Sequence, residues 1–344
     1  MIRKKCLATL FQTSRRAVPC VPGPIATLVI DAEEDFDWEA PTDGTPYSTR
    51  CMRQINELHE ILGAYGARPT YLVTYPVLED RDVVRLLERE ASRGRCQMGV
   101  QLHAWVTPPF EEEARRQSSF AGNLYLDLEE RKLLRLKEKF ITSFGRAPRT
   151  YRSGRYGLGY QSALLLEKHG FEIDTSLAPR TTMTAEGGPD YARYDYEIFW
   201  FGEQRNLLEV PLCRSIVGWG GALGRALYRR CSAGRLRRFK VPSLLAASGI
   251  AERVTLSPEG NDISAMSRLV HGLLARGQSI LPISFHSSSL SPGCNPYVRS
   301  RADLHGLYDR LSALLAHLVD DLGFTFRALA DIPGALAPPG ARRS

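Results

Sequence analysis

The densest chemistry in this chain lies at Ile30-Asp31-Ala32-Glu33-Glu34-Asp35-Phe36-Asp37-Trp38, where carboxylates crowd directly behind an apolar run. Carboxylates this close repel one another unless a cation or an arginine stands among them. In an extended chain alternate side chains share a face, so Asp31, Glu33, Asp35 and Asp37 point one way. The pattern suits a metal site or a general base. A solvated acidic loop is the plain alternative.

Three further places carry matching chemistry. Gln101 and His103 are two apart in an apolar run, so on a strand both face the same side. Arg152, in Tyr151-Arg152-Ser153-Gly154-Arg155-Tyr156-Gly157, is of the type that lowers a carboxylate's pKa and fixes its orientation. His286, in Ser284-Phe285-His286-Ser287-Ser288-Ser289, is placed to act as a general acid. The bland readings are a structural histidine at 103 and an ordinary buried ion pair at 152. The serines after His286 are not set in a G-x-S-x-G elbow, which argues against a nucleophilic serine.

The elements that must position these groups alternate short β-like runs with amphipathic helices, the pattern of an α/β fold with mainly parallel strands. Strands are expected at 26–30, 69–74, 97–103, 149–152, 171–174, 207–212, 279–285 and 323–327. Helices are expected at 49–64, 80–93, 127–143, 160–169, 262–276 and 300–321. Asp127 and Glu130 suggest a capping box for the third helix, and Gly145 its end. In such folds ligands sit beyond the carboxyl ends of the strands. Asp31, Glu33, Gln101, His103, Arg152, Arg155, Tyr156, Asp174 and His286 all stand just there. Asp31, at a strand end, is expected to matter for turnover rather than for folding.

The bulk composition is that of a globular protein: 344 residues, 43% apolar, with 45 basic against 38 acidic side chains and a formal charge of +7. Seven scattered cysteines without a CxxC pair suggest neither a disulfide framework nor a zinc ribbon, and a reducing, cytoplasmic setting fits them best. The apolar run after Lys5 is short for a signal peptide. No stretch reaches the ~18 apolar residues of a membrane span. Residues 1–23 read as an N-terminal extension, 24–330 as one domain and 331–344 as a flexible tail.

Residues 214–258 break the rhythm. Arg225, Arg229, Arg230, Arg235, Arg237, Arg238 and Lys240 follow one another without an intervening acid. A solvated helical face or an insertion covering the barrel is one reading. Contact with an anionic glycan, lipid phosphate or membrane surface, peripheral to the inner membrane, is the other. No nucleic-acid-binding module accompanies the charge.

The order of these motifs resembles the NodB-homology polysaccharide deacetylases (carbohydrate esterase family 4), and within them the WalW-type branch, over about residues 24–330. The pieces that carry the resemblance are residues 30–38, Gln101-Leu102-His103-Ala104-Trp105-Val106-Thr107-Pro108-Pro109, residues 151–157, Asp174-Thr175-Ser176 and residues 284–290. It implies a distorted (β/α)7 barrel and a divalent metal, commonly zinc, that assists removal of an N-acetyl group from an amino sugar in surface-polysaccharide or lipopolysaccharide biosynthesis. The glycan is free or lipid-linked. By resemblance Asp31 is the base, Arg152 tunes it, and His286 protonates the leaving amine. Glu33 and His103 hold the metal, and Trp105, Arg155, Tyr156 and Asp174 line the substrate. The chain departs from that pattern in two places. Ala32 separates Asp31 from Glu33, and Gln101 and Trp105 stand where the family has two histidines. The alternative is a glycan-binding relative with a degenerate metal site.

Overall fold

In the computed structural model, which describes residues 11, 16–17, 21, 23–36, 47–113, 115–232 and 241–336, the apolar run behind the acidic cluster forms the central strand. After a short edge strand β1 (Arg16–Ala17), β2 spans Ile25–Ala32, and all eight of its residues are buried. A strand buried on both faces reads as a continuous apolar run rather than an alternation. The next parallel strands are β3 (Pro69–Val73), β4 (Gln97–Leu102), β5 (Thr150–Ser153) and β6 (Ile173–Asp174). They are followed by an antiparallel β7 (Phe199–Phe201), β8 (Leu207–Glu209), the pair β9 (Arg214–Val217) and β10 (Glu252–Thr255), then β11 (Ile280–His286) and β12 (Thr325–Phe326).

The helices between them are α1 (Ile55–Ala64), α2 (Tyr75–Glu79), α3 (Arg81–Ser92), α4 (Leu126–Phe144), α5 (Tyr160–Lys168), α6 (Gly221–Ser232), α7 (Val241–Ala247), α8 (Ile263–Leu274), α9 (Arg301–Ala316) and α10 (Ile332–Ala335). The apolar faces of α1, α3, α8 and α9 pack into one cluster with the strands; Leu58, Leu87, Leu269 and Leu311 are all fully buried. Long-range strand pairing of this kind is stable only with both sheet faces covered.

The strand order β11-β2-β3-β4-β5-β6-β8 gives seven parallel strands curled into a partial barrel. β8 and β11 do not pair. The gap is crossed by single backbone bonds, Leu256 N to Cys213 O at 2.7 Å and Ser284 N to Leu256 O at 3.1 Å. This is the distorted (β/α)7 barrel that the family resemblance implies.

Local details differ from expectation. α4 starts at Leu126 with Tyr125 as its cap and no side-chain cap bond, so no capping box forms at Asp127 and Glu130; Gly145 does end it, left-handed at φ 65°. The expected tail contains α10, while residues 337–344 lie outside the described residues, as do most of residues 1–23, Asp37, Trp38 and the basic run 233–240. Within the insertion, β9 and β10 form a two-stranded antiparallel sheet bracketing α6 and α7. Neither strand stands out in the sequence, because arginines punctuate both.

Candidate active site

Parallel register does the first work of assembly. His286 lies directly across from Asp31 on neighbouring strands, and Gln101 directly across from Arg152. Four groups drawn from four strands are thereby brought to one barrel mouth.

Arg152 is 1% exposed, and its Nη1 donates to Asp31 Oδ1. Its remaining donors reach Thr175 O at 3.1 Å and Thr175 Oγ1 at 3.0 Å, which locks the guanidinium. The other Asp31 oxygen, Oδ2, faces His286 Nε2 at 3.6 Å. Asp31 itself is 2% exposed. The expectation that it matters little for folding is therefore corrected: a buried guanidinium without its carboxylate is strongly destabilising.

His286 is held on its far side by Glu259, which accepts from Nδ1 at 2.9 Å and from the His286 backbone N–H at 2.9 Å. Ser289 Oγ also donates to Glu259. Burial disfavours the imidazolium, but Glu259, Glu33 and Asp31 outweigh it and push the His286 pKa up to about 10. Glu259 is the residue of this cluster that sequence reasoning missed. It stands just past a strand, as the others do, but that strand is β10, hidden in the basic insertion.

Across the mouth, His103 Nδ1 donates to Glu34 Oε1 at 2.7 Å. Its Nε2 then accepts from Gln101 Nε2 at 2.9 Å and lies 3.5 Å from Glu33 Oε2. The Trp105 ring stacks on the His103 ring, with centroids 4.1 Å apart and planes 25° from parallel. Burial pushes the Glu33 carboxyl up to about 8, only partly offset by His286 and His103. For His103 burial opposes charge, yet Glu34, Glu33 and Asp31 raise its pKa.

Glu33 and His103 suit a cation. A carboxylate on Nδ1 leaves Nε2 as the metal-facing nitrogen, the usual support of a ligating histidine. Two ligands about 2.0–2.1 Å from a tetrahedral ion stand about 3.3–3.4 Å apart, close to the separation found. Glu33 Oε1 and Gln101 Oε1 are buried without a hydrogen-bond partner. Turning the Gln101 amide over would present its oxygen in place of its nitrogen. Among the described residues, the one group with three mutually close ligand atoms lies elsewhere: Asp35, Cys51 and Cys294, all within 4.8 Å of one another.

The remaining sequence candidates are placed as follows. Asp174 is fully buried, takes a bond from Ser176 Oγ at 2.6 Å, and lies in register with Glu209. Asp174 Oδ2 and Glu209 Oε2 have no other partner, and burial raises both carboxyls, so the pair suits one shared proton. Arg155 and Tyr156 are left-handed, at φ 54° and 58°. Such consecutive non-glycine strain is sustained only by surrounding contacts. Arg155 turns to Glu186 and Ser119 and lies 4.4 Å from the Phe120 ring centre; the Tyr156 ring lies 5.5 Å from the Arg152 guanidinium.

No family profile matches the chain, and no curated protein sequence does. Solved structures do. A "putative polysaccharide deacetylase" from Mycobacterium smegmatis is 16% identical, with TM-score 0.51 over 96% of this chain and 98% of its own. The fold is a deacetylase-type barrel. A 4-alpha-glucanotransferase from Thermococcus litoralis shares it at TM-score 0.50 and 10% identity, over 91% of this chain and 40% of its own. A peptidoglycan deacetylase from Bacillus subtilis is 10% identical at TM-score 0.40, over 91% and 92%. A barrel used for more than one glycan chemistry does not name its reaction; the deacetylase-type barrel here must be read from its site.

Proposed function

We propose that the protein is a zinc-dependent hydrolase that removes an N-acetyl group from an amino sugar of a surface polysaccharide or lipopolysaccharide precursor, free or lipid-linked. The motif order resembles the WalW-type branch, and the basic insertion suits an anionic part of such a substrate. The observation that carries the reading is the pairing of two opposed histidine–carboxylate units. Glu34 orients His103 beside Glu33, and Glu259 orients His286 beside Asp31.

Glu33 and His103 would hold a cation, joined by Gln101 if its amide turned over, and that cation would supply Lewis acidity toward the acyl carbonyl. Everything else falls to the chain. Arg152 fixes Asp31 Oδ1, which aims Oδ2 into the mouth as the base that takes a proton from the attacking water. His286, the more exposed partner at 21% of its side chain, donates its Nε2 proton to the departing amine. Glu259 stabilises the imidazolium before that transfer. Trp105 covers the His103 ring and excludes water from it.

Release of acetate from N-acetylated sugars by the zinc-loaded protein tests the reading. In His286→Ala the loss should be larger for substrates with poor amine leaving groups than for activated esters. One observation favours a second reading, a glycan-binding relative without catalysis: Gln101 Nε2 sits on the His103 nitrogen that a metal needs. Zinc-free, inactive wild-type protein that still binds N-acetylated glycans would establish it.

A further inference from the structure

The insertion carries a surface that the barrel chemistry does not use. Between Glu209 and Glu252 there is no acidic residue, while Arg214, Arg225, Arg229 and Arg230 precede the run 235–240. Among the described residues, Arg225, Arg229 and Arg230 have no ion-pair partner. The segment also shows large apolar side chains to solvent, from the loop before α6 to α7. Trp219 is 74% exposed, Leu223 82%, Leu227 43% and Leu244 66%. Four of the nine large apolar side chains that the described surface exposes thus fall in this one segment.

The geometry makes a face of them. Leu223 and Leu227 are four apart on α6 and share a side. Gly224 and Cys231 form the buried stripe of α6 and border the leucines, so Leu223 and Leu227 stand at the edge where the helix leaves the body of the protein. Trp219 Nε1 donates to Ser248 O at 2.9 Å, which ties the loop before α6 to the end of α7. Arginine-lined cavities flank the two helices. One of about 560 Å³ is lined by Arg180, Arg229 and Arg253, and one of about 510 Å³ by Arg225, Arg268 and Arg276.

An exposed leucine and tryptophan face beside unpaired arginines is the composition of an interfacial helix. The geometry points to docking of α6 and α7 on an anionic phospholipid bilayer. Trp219, Leu223, Leu227 and Leu244 enter the headgroup–acyl boundary, Arg230 on the leucine side of α6 meets lipid phosphates, and Arg225 and Arg229 on its far side add to the attracting charge. This deepens the lipid-linked reading of the substrate by naming the surface where it is met. Charge complementarity selects the bilayer over a second copy, since two such faces would set arginine against arginine.

Sedimentation of the full chain with vesicles tests docking without substrate or metal, so that failure of the deacetylase reading leaves it untouched. Phosphatidylcholine vesicles mixed with phosphatidylglycerol should bind on the order of 100-fold more tightly than neutral ones, and less so at high salt, given the contribution expected of each arginine near an anionic surface. The paired change Leu223→Glu and Leu227→Glu should abolish binding while leaving the melting temperature in place. Trp219 emission, taken as wild type minus Trp219→Phe, should shift to the blue on vesicles. Equal binding to both vesicle types, no binding, or binding without that shift overturns the proposal. So does a concentration-dependent dimer that the paired leucine change dissociates.

Discussion

Glu34 accepts a hydrogen bond from His103 Nδ1 at 2.7 Å, although 69 positions separate them in the chain. That bond selects the tautomer whose Nε2 faces Glu33. The pair predicts how metal affinity is controlled. Glu34→Gln should weaken zinc binding by about 10–100-fold, the usual cost of losing a histidine's carboxylate support. His103→Ala should abolish it, and Gln101→His should hold it or strengthen it. Elemental analysis of each protein, alongside the Cys51→Ser and Cys294→Ser pair, distinguishes this site from the Asp35–Cys51–Cys294 group. Zinc lost only in the cysteine variant would place the metal there instead.

Asp31→Asn should lower turnover by about 10²–10⁴, as expected for loss of a general base. It should also cost about 3–5 kcal/mol of stability, because Arg152 is left buried and uncompensated. Asp31→Asn with Arg152→Met should regain much of that stability and none of the activity. Urea unfolding with acetate release separates the two effects. Full activity in Asp31→Asn removes Asp31 from the mechanism.

His286 titrates near 10 because Glu259, Glu33 and Asp31 hold its proton against burial. As the acid, it loses function only as pH rises through that value, so the alkaline limb of kcat/KM should lie high. Glu259→Gln removes the leading charge and should draw that limb toward neutral pH. The stability sign agrees. A histidine with a raised folded pKa contributes fully below its unfolded value of 6.5 and loses the contribution as pH rises through about 10. An unmoved alkaline limb would show that Glu259 does not set the His286 proton.

Asp174 and Glu209 give a test of the opposite kind, on stability alone. Burial raises both carboxyls, so the folded state retains a proton that the unfolded chain releases. Stability from this pair is therefore greatest in acid and falls as pH rises. Glu209→Gln supplies a permanent donor in place of that proton and should flatten the fall of the urea midpoint with rising pH. A midpoint as steep as in wild type would show that the pair shares no proton.

The alternation of apolar runs and amphipathic helices determined an α/β fold with mainly parallel strands, because strand and helix periodicity are local properties of the chain; the barrel was implied only by the resemblance of the motif order. The same local rule, polar groups at strand ends, marked Asp31, Glu33, His103, Arg152 and His286. What each of them touches was decided only in three dimensions. Parallel register set His286 beside Asp31. Contacts with Glu186 and Ser119 hold Arg155 in its left-handed backbone, and strand register set Asp174 against Glu209. Glu259 stayed hidden because its strand lies in an arginine-rich insertion where periodicity fails. The outward face of α6 is equally invisible in one dimension, since Leu223 and Leu227 look like core residues until the helix is packed. A sequence specifies which groups stand at strand ends. Partners come from residues tens to hundreds of positions away, and only tertiary packing brings those together.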